Sequence, residues 1–240
     1  MTEALDFMRR RSRPLRLVVF DCDGVLVDSE PLAAEAVAAA VSEAGWPMTP
    51  AQSQANFLGM TLPAMLPVIE RHIGHPLPLD WGEEVLHRIL ALVSARLTMI
   101  PGARIALDAL DTLGLPWRVG TNSSREEACG KFAAVGLLER VRPRLHTFED
   151  VAHGKPAPDL YLAAAAAEGV SPAEAIVVED SATGVRAAVA AGMGCLGFAP
   201  HSDGAELAAL GAVPFHAMAE LPALVQAGPV RTGLHAMKEN

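Results

Sequence analysis

Leu17 to Glu30 reads LVVFDCDGVLVDSE, an apolar run that ends in two carboxylates separated by a single residue, Asp21 and Asp23, followed by Gly24. Side chains alternate faces along a strand, so an i, i+2 pair leaving its carboxyl end can turn both acids toward one pocket. Two converging carboxylates suit a hard cation, or a nucleophile with its general acid/base. Taken alone, the pair also reads as a strand-to-loop turn with solvated aspartates, because Asp and Gly are ordinary turn residues.

Outward from this segment, short apolar runs recur before polar or glycine-bearing turns: LRLVVF ending at Phe20, WRVG at Gly120, AIVV at Val178 and CLGF at Phe198. Helical patterns separate them. The alternation predicts an α/β fold, a doubly wound, mostly parallel, Rossmann-like core. Ligands in such folds bind outside the carboxyl ends of the strands, and the polar motifs fall there.

A long helical insertion, residues 32–99, separates the first strand from the next, leaving 1–31 and 100–240 for the core. PLAAEAVAAAVSEAG has an Ala-rich helical body with Gly45 as its stop. Asp80 and Glu83 have capping-box spacing ahead of a helix to about Leu97, in which Val85, Leu86, Ile89, Leu90 and Val93 keep helical spacing. A further helix is read over Thr61 to Ile73, although Pro63 and Pro67 weaken its pattern. Pro101-Gly102 marks the return to the core.

The full run Asp21-Cys22-Asp23-Gly24-Val25-Leu26-Val27-Asp28-Ser29 resembles DxDGxLxDS, the signature of the haloacid dehalogenase superfamily. The resemblance implies that the first Asp is a nucleophile and the second the acid/base of phosphoryl transfer. Three later segments extend it. VGTNSS puts Thr121 and Asn122 where family members bind the phosphoryl group. GKPAPDLY supplies Lys155, which stabilises charge on the nucleophile and phosphoryl group. VVEDSATGVRAA supplies Glu179 and Asp180, acids that complete a metal site with Asp21 and with Asp23 through its backbone carbonyl. The implied cofactor is Mg²⁺. An insertion after the first motif resembles the helical cap of the branch that includes β-phosphoglucomutase and phosphoglycolate phosphatase, with Phe57, Met60 and Thr61 in the segment that resembles its specificity loop.

The resemblance therefore implies a Mg-dependent phosphatase acting through an aspartyl-phosphate on a small phosphorylated metabolite such as a sugar or sugar-acid phosphate. A phosphomutase would share the same core motifs. By motif spacing, the mutase's hinge histidine and cap arginine fall at Ala33 and about Leu62, neither able to make the polar contact. Arg71, Arg88 or Arg96 offers an anion contact from another helix. A non-catalytic phospho-acceptor or binding module is the third reading, although receiver modules are near half this length and lack a cap.

The formal net charge of -9 argues against general nucleic-acid binding. The basic run Arg9 to Arg16, in MRRRSRPLR, reads as a short solvated arm, and the tail after Ala227 as a loosely attached end. Neither a signal peptide nor a membrane span is visible. Cys22, Cys129 and Cys195 lack metal-like spacing and read as reduced thiols of a cytoplasmic protein, in which the Asn122-Ser123-Ser124 sequon carries no meaning. His153 has no metal-spaced partner and reads as a loop histidine. Oligomeric state is not legible.

Overall fold

A computed structural model describes residues 2–57 and 60–229; the tail assigned above lies largely outside them. In chain order the elements are α1 (Thr2–Arg9), β1 (Leu17–Phe20), α2 (Glu30–Glu43), α3 (Pro50–Phe57), α4 (Leu62–Ile73), α5 (Trp81–Arg96) and α6 (Ala103–Leu113). They continue with β2 (Trp117–Thr121), α7 (Arg125–Ala134), α8 (Leu138–Val141), β3 (Leu145–Thr147), α9 (Asp159–Ala167) and β4 (Ala175–Glu179). The last are α10 (Ala182–Ala190), β5 (Gly194–Phe198), α11 (Ala205–Ala209), β6 (Val213–Phe215) and α12 (Leu221–Ala227), with short 3₁₀ turns between.

The six strands form one parallel sheet in the order β3-β2-β1-β4-β5-β6. Strand order reverses beside β1, because the chain moves outward through β2 and β3 and then returns to β1's other edge as β4. That crevice at the carboxyl ends of β1 and β4 is where a doubly wound sheet binds its ligand. Parallel strands covered on both faces are apolar throughout rather than alternating, and all four residues of β1 are fully buried. One face carries Leu17, Val19, Val177 and Cys195 packed with Tyr161, Val185 and Ala188.

Chain contacts divide the molecule into Met1–Val27 with Met99–Asn240, and Asp28–Thr98. The second unit has its own core, built from Val37, Val41, Phe57, Met65, Ile69, Trp81 and Val85. Glu43 and Glu35 on α2 pair with Arg88 and Arg96 on α5 at 2.8 and 2.7 Å, so both of these arginines already have a carboxylate partner.

Several details bear out, refine or differ from the sequence reading. The α4 helix forms despite its prolines, because Thr61 caps it by accepting from Ala64 N, Pro63 sits in the first turn, and only Pro67 lies inside. Asp80 makes no side-chain cap, its backbone lying near φ -92°, ψ 1° rather than extended, so the expected capping box is absent although α5 forms. Edge strands β3 and β6, three residues each, were not signalled by LHT and VPF. The basic run is exposed at Arg9, Arg10, Ser12 and Arg13 but tethered at Arg11, which donates to Ala173 O at 2.9 Å, and at Leu15, which is fully buried. Gly45 does end α2, with Gly45 N on Ser42 O and Trp46 N on Val41 O.

All three cysteines are free. Among the described residues, no helix is long and apolar enough to cross a membrane.

Trp117 anchors the β2 side of the sheet. It is 1% exposed, meets Phe20 edge-on at 6.4 Å, lies under the Arg144 guanidinium at 4.6 Å, and donates from Nε1 to Asp111 Oδ1 at 2.7 Å. Trp117→Ala is expected to cost about 3–5 kcal/mol in urea unfolding; a loss below about 1 kcal/mol would show that the sheet does not depend on this anchor.

Candidate active site

Every strand that contributes to the site ends at the same edge of the sheet. Asp21 directly follows β1 and continues its ladder by donating its backbone N–H to Val178 O at 3.0 Å. Glu179 is the last residue of the neighbouring β4, and Asp180 follows it. Thr121 closes β2, and the loop before α9 brings in Lys155.

Lys155 joins the two central strands. Its Nζ donates to Asp21 Oδ1 at 2.6 Å and to Glu179 Oε1 at 2.7 Å, and all three side chains are largely or wholly buried. Burial works against the ammonium, but the two carboxylates outweigh it and raise the Lys155 pKa well above the usual lysine value. Burial raises the Asp21 carboxyl to about 7, partly offset by Lys155 and reinforced by the charges of Glu179 and Asp23. Glu179 is the opposite case: burial pushes its pKa up, and Lys155 with several donors more than reverses that.

Those donors fill Glu179. Oε1 accepts from Lys155 Nζ and from Tyr161 Oη at 2.7 Å, while Oε2 accepts from Asp180 N and Ser181 N at 3.0 Å and from Ser181 Oγ at 2.9 Å. Ser181 Oγ in turn caps α10 by accepting from Gly184 N at 3.0 Å. The residue is fully buried, so its carboxylate serves as the fixed anion that holds Lys155 and the start of α10.

Asp21, Glu179 and Asp180 each offer a carboxylate oxygen, and these atoms lie within 4.8 Å of one another. A cluster of hard anionic oxygens fits Mg²⁺. Asp23's carboxylate is not in that cluster; it accepts from Ser123 Oγ at 3.1 Å and Lys131 Nζ at 2.8 Å. The Asp23 side chain is therefore not among the clustered acids that could hold a metal.

Two glycines make the cluster possible. A Cβ on Gly24, which adopts φ +71°, would collide with the Asp180 carboxylate, and one on Gly184 would collide with that of Glu179. Thr121 is buried, with Oγ1 accepting from Ser123 N at 3.0 Å. The side chain of Asn122, read from the sequence as a substrate contact, clamps Lys155: Oδ1 accepts from Lys155 N at 2.9 Å and Nδ2 donates to Lys155 O at 3.0 Å. His153 is exposed, 3.3 Å from Asp159. Sequence reasoning missed Ser123, Lys131 and Tyr161, all of which hydrogen-bond to the motif acids.

Residues 15–192 match the haloacid dehalogenase-like hydrolase family. The chain belongs to that family. It is 31% identical over 194 residues to validoxylamine A 7'-phosphate phosphatase of Streptomyces hygroscopicus subsp. limoneus, covering 80% of this chain and 90% of the relative. A phosphorylated carbohydrates phosphatase of Thermotoga maritima is 30% identical over 202 residues, 83% of this chain and 93% of the relative. Among solved structures, a family hydrolase from Deinococcus radiodurans R1 with bound phosphate and sodium superposes with a TM-score of 0.80 at 31% identity, covering 92% of this chain and all of that one.

Gly184→Ala forces a methyl group into the most heavily hydrogen-bonded carboxylate of the site. It is expected to lower stability by about 1–3 kcal/mol in urea unfolding and to reduce hydrolase turnover with it. Unchanged stability and turnover would show that Glu179 has room to move.

Proposed function

We propose that the protein is a Mg²⁺-dependent phosphatase that hydrolyses small phosphorylated carbohydrates through an aspartyl-phosphate on Asp21. The observation that carries this is the buried ammonium of Lys155 on Asp21 Oδ1, beside a second aspartate held by its own donors. Support for the substrate class comes from the Thermotoga maritima relative, named for phosphorylated carbohydrates, and the Streptomyces relative is likewise named for a phosphate ester, validoxylamine A 7'-phosphate.

In this reading Asp21 attacks phosphorus and the ester P–O bond breaks. Asp23, as the acid, gives its proton to the departing sugar oxygen. Asp23, now a carboxylate, takes a proton from the water that attacks the aspartyl-phosphate, which regenerates Asp21 and releases inorganic phosphate. Lys155 offsets the repulsion between the anionic nucleophile and the anionic phosphoryl group. The Thr121 hydroxyl, at the end of β2, donates to a phosphoryl oxygen. Asp21, Asp180 and the Asp23 carbonyl would hold Mg²⁺, with Glu179 fixing their surroundings; the bound ion supplies further neutralisation of phosphoryl charge. The helical unit, residues 28–98, acts as the substrate-selecting cap.

Asp21→Asn is expected to lower turnover of sugar phosphates with Mg²⁺ by about 10³-fold or more while the protein stays folded. Near-wild-type phosphate release by that variant would refute the reading, and isomerised sugar phosphate without released phosphate would replace it with a phosphomutase. A metal ligand must be ionised, and burial raises Asp21 to about 7, so its carboxylate fraction falls as pH drops through that value. Calorimetric titration should find Mg²⁺ affinity weakening by about tenfold per pH unit below about pH 7; equal affinity at about pH 6 and about pH 8 would contradict the binding of Mg²⁺ by an Asp21 carboxyl that titrates in that range.

A further inference from the structure

Lys131 is the last-turn lysine of α7, yet its side chain is only 13% exposed. An ordinary lysine there would reach solvent and complement the helix dipole. This one points inward and closes a ring of hydrogen bonds with Asp23 and Ser123. Its Nζ lies 2.8 Å from each carboxylate oxygen of Asp23 and 2.9 Å from Ser123 Oγ, and Ser123 Oγ lies 3.1 Å from Asp23 Oδ2.

The donor arithmetic is consistent. Ser123 has one hydroxyl proton and gives it to Asp23, so it accepts from Lys131, whose three N–H groups serve both partners. A short carboxylate on a loop after a strand can turn about its Cα–Cβ and Cβ–Cγ bonds; two donors from α7 and its preceding loop fix both rotations. The rigidity of the donors is itself built in. Ser124 and Glu127 form a reciprocal capping box at the start of α7, and Ser123 N is held on Thr121 Oγ1.

From this ring we infer that Lys131, with Ser123, is the positioning device for Asp23: it sets the carboxyl orientation needed to protonate the leaving oxygen and later to receive the proton of the attacking water. The inference rests on the acid/base reading of Asp23 given above. Lys155 and Lys131 thus divide the two aspartates between them, one lysine to each. Lys131 touches neither substrate nor phosphoryl group in this scheme, so its effect must come through Asp23.

That makes the effect dependent on the leaving group. p-Nitrophenolate departs without a proton, whereas phenolate from phenyl phosphate benefits from one. In the Mg²⁺-loaded enzyme, Lys131→Met is expected to slow single-turnover phenol release by about 10- to 100-fold while leaving single-turnover p-nitrophenolate release nearly unchanged. Steady-state turnover of p-nitrophenyl phosphate should then fall after a burst of one product per site, because water attack on the aspartyl-phosphate still needs Asp23. Ser123→Ala, which removes one uncharged donor and keeps the buried ion pair, should shift the same ratio in the same direction by less, and it carries the test where Lys131→Met does not fold.

Equal slowing of the two single-turnover rates, or no slowing of either, would overturn the inference by assigning Lys131 a structural role. Asp23→Asn separates this from the underlying reading. If that variant keeps wild-type phenyl phosphate turnover, the acid/base assignment of Asp23 fails first; if it loses turnover while Lys131→Met and Ser123→Ala do not, only the positioning role fails.

Discussion

A single buried ammonium holds the chemistry of this protein to its fold. Lys155 bridges Asp21 after β1 and Glu179 at the end of β4, the two strands on either side of the point where the sheet reverses its order. None of the three side chains has solvent enough to stand alone. Breaking a buried pair by removing one partner costs about 3–5 kcal/mol, because the remaining charge is stranded. The interaction therefore ties stability to the presence of a fully assembled site. Much of the surrounding detail follows from it: Tyr161 and Ser181 complete the hydrogen bonding of Glu179, Asn122 clamps the Lys155 backbone, and Gly184 leaves room for the carboxylate.

The arrangement also separates two aspartates that are only two residues apart. Asp21 stays on the side of Lys155, Glu179 and Asp180, while Asp23 turns toward Ser123 and Lys131. Different surroundings give like groups different tasks, the division that the proposed roles of nucleophile and acid/base require. Gly24, with its positive φ, follows directly and lets Asp180 approach the loop.

What was legible in the sequence was local. Asp21, Asp23 and Gly24 sit in one strand-to-loop segment, and the runs ending at Phe20, Gly120, Val178 and Phe198 carry enough apolar residues to announce buried parallel strands. Lys155 and the Glu179-Asp180 pair stand in recognisable motifs. Lys131 and Tyr161 could not be found this way: each lies on a helix, and the acid it serves is distant in sequence, so only the fold brings them together. Edge strands β3 and β6 are too short, and LHT and VPF too mixed, to show a period. Asp80 shows the reverse failure, in which correct capping-box spacing is not matched by the backbone geometry that a cap requires.

Acid-quenching the Mg²⁺-loaded enzyme during turnover of p-nitrophenyl phosphate, followed by peptide mass mapping, tests the central claim most directly. The account predicts one phosphoryl group on the peptide that carries Asp21, lost on treatment with hydroxylamine as an acyl phosphate is. A phosphoryl group on another residue, or none during continued phosphate release, would contradict it.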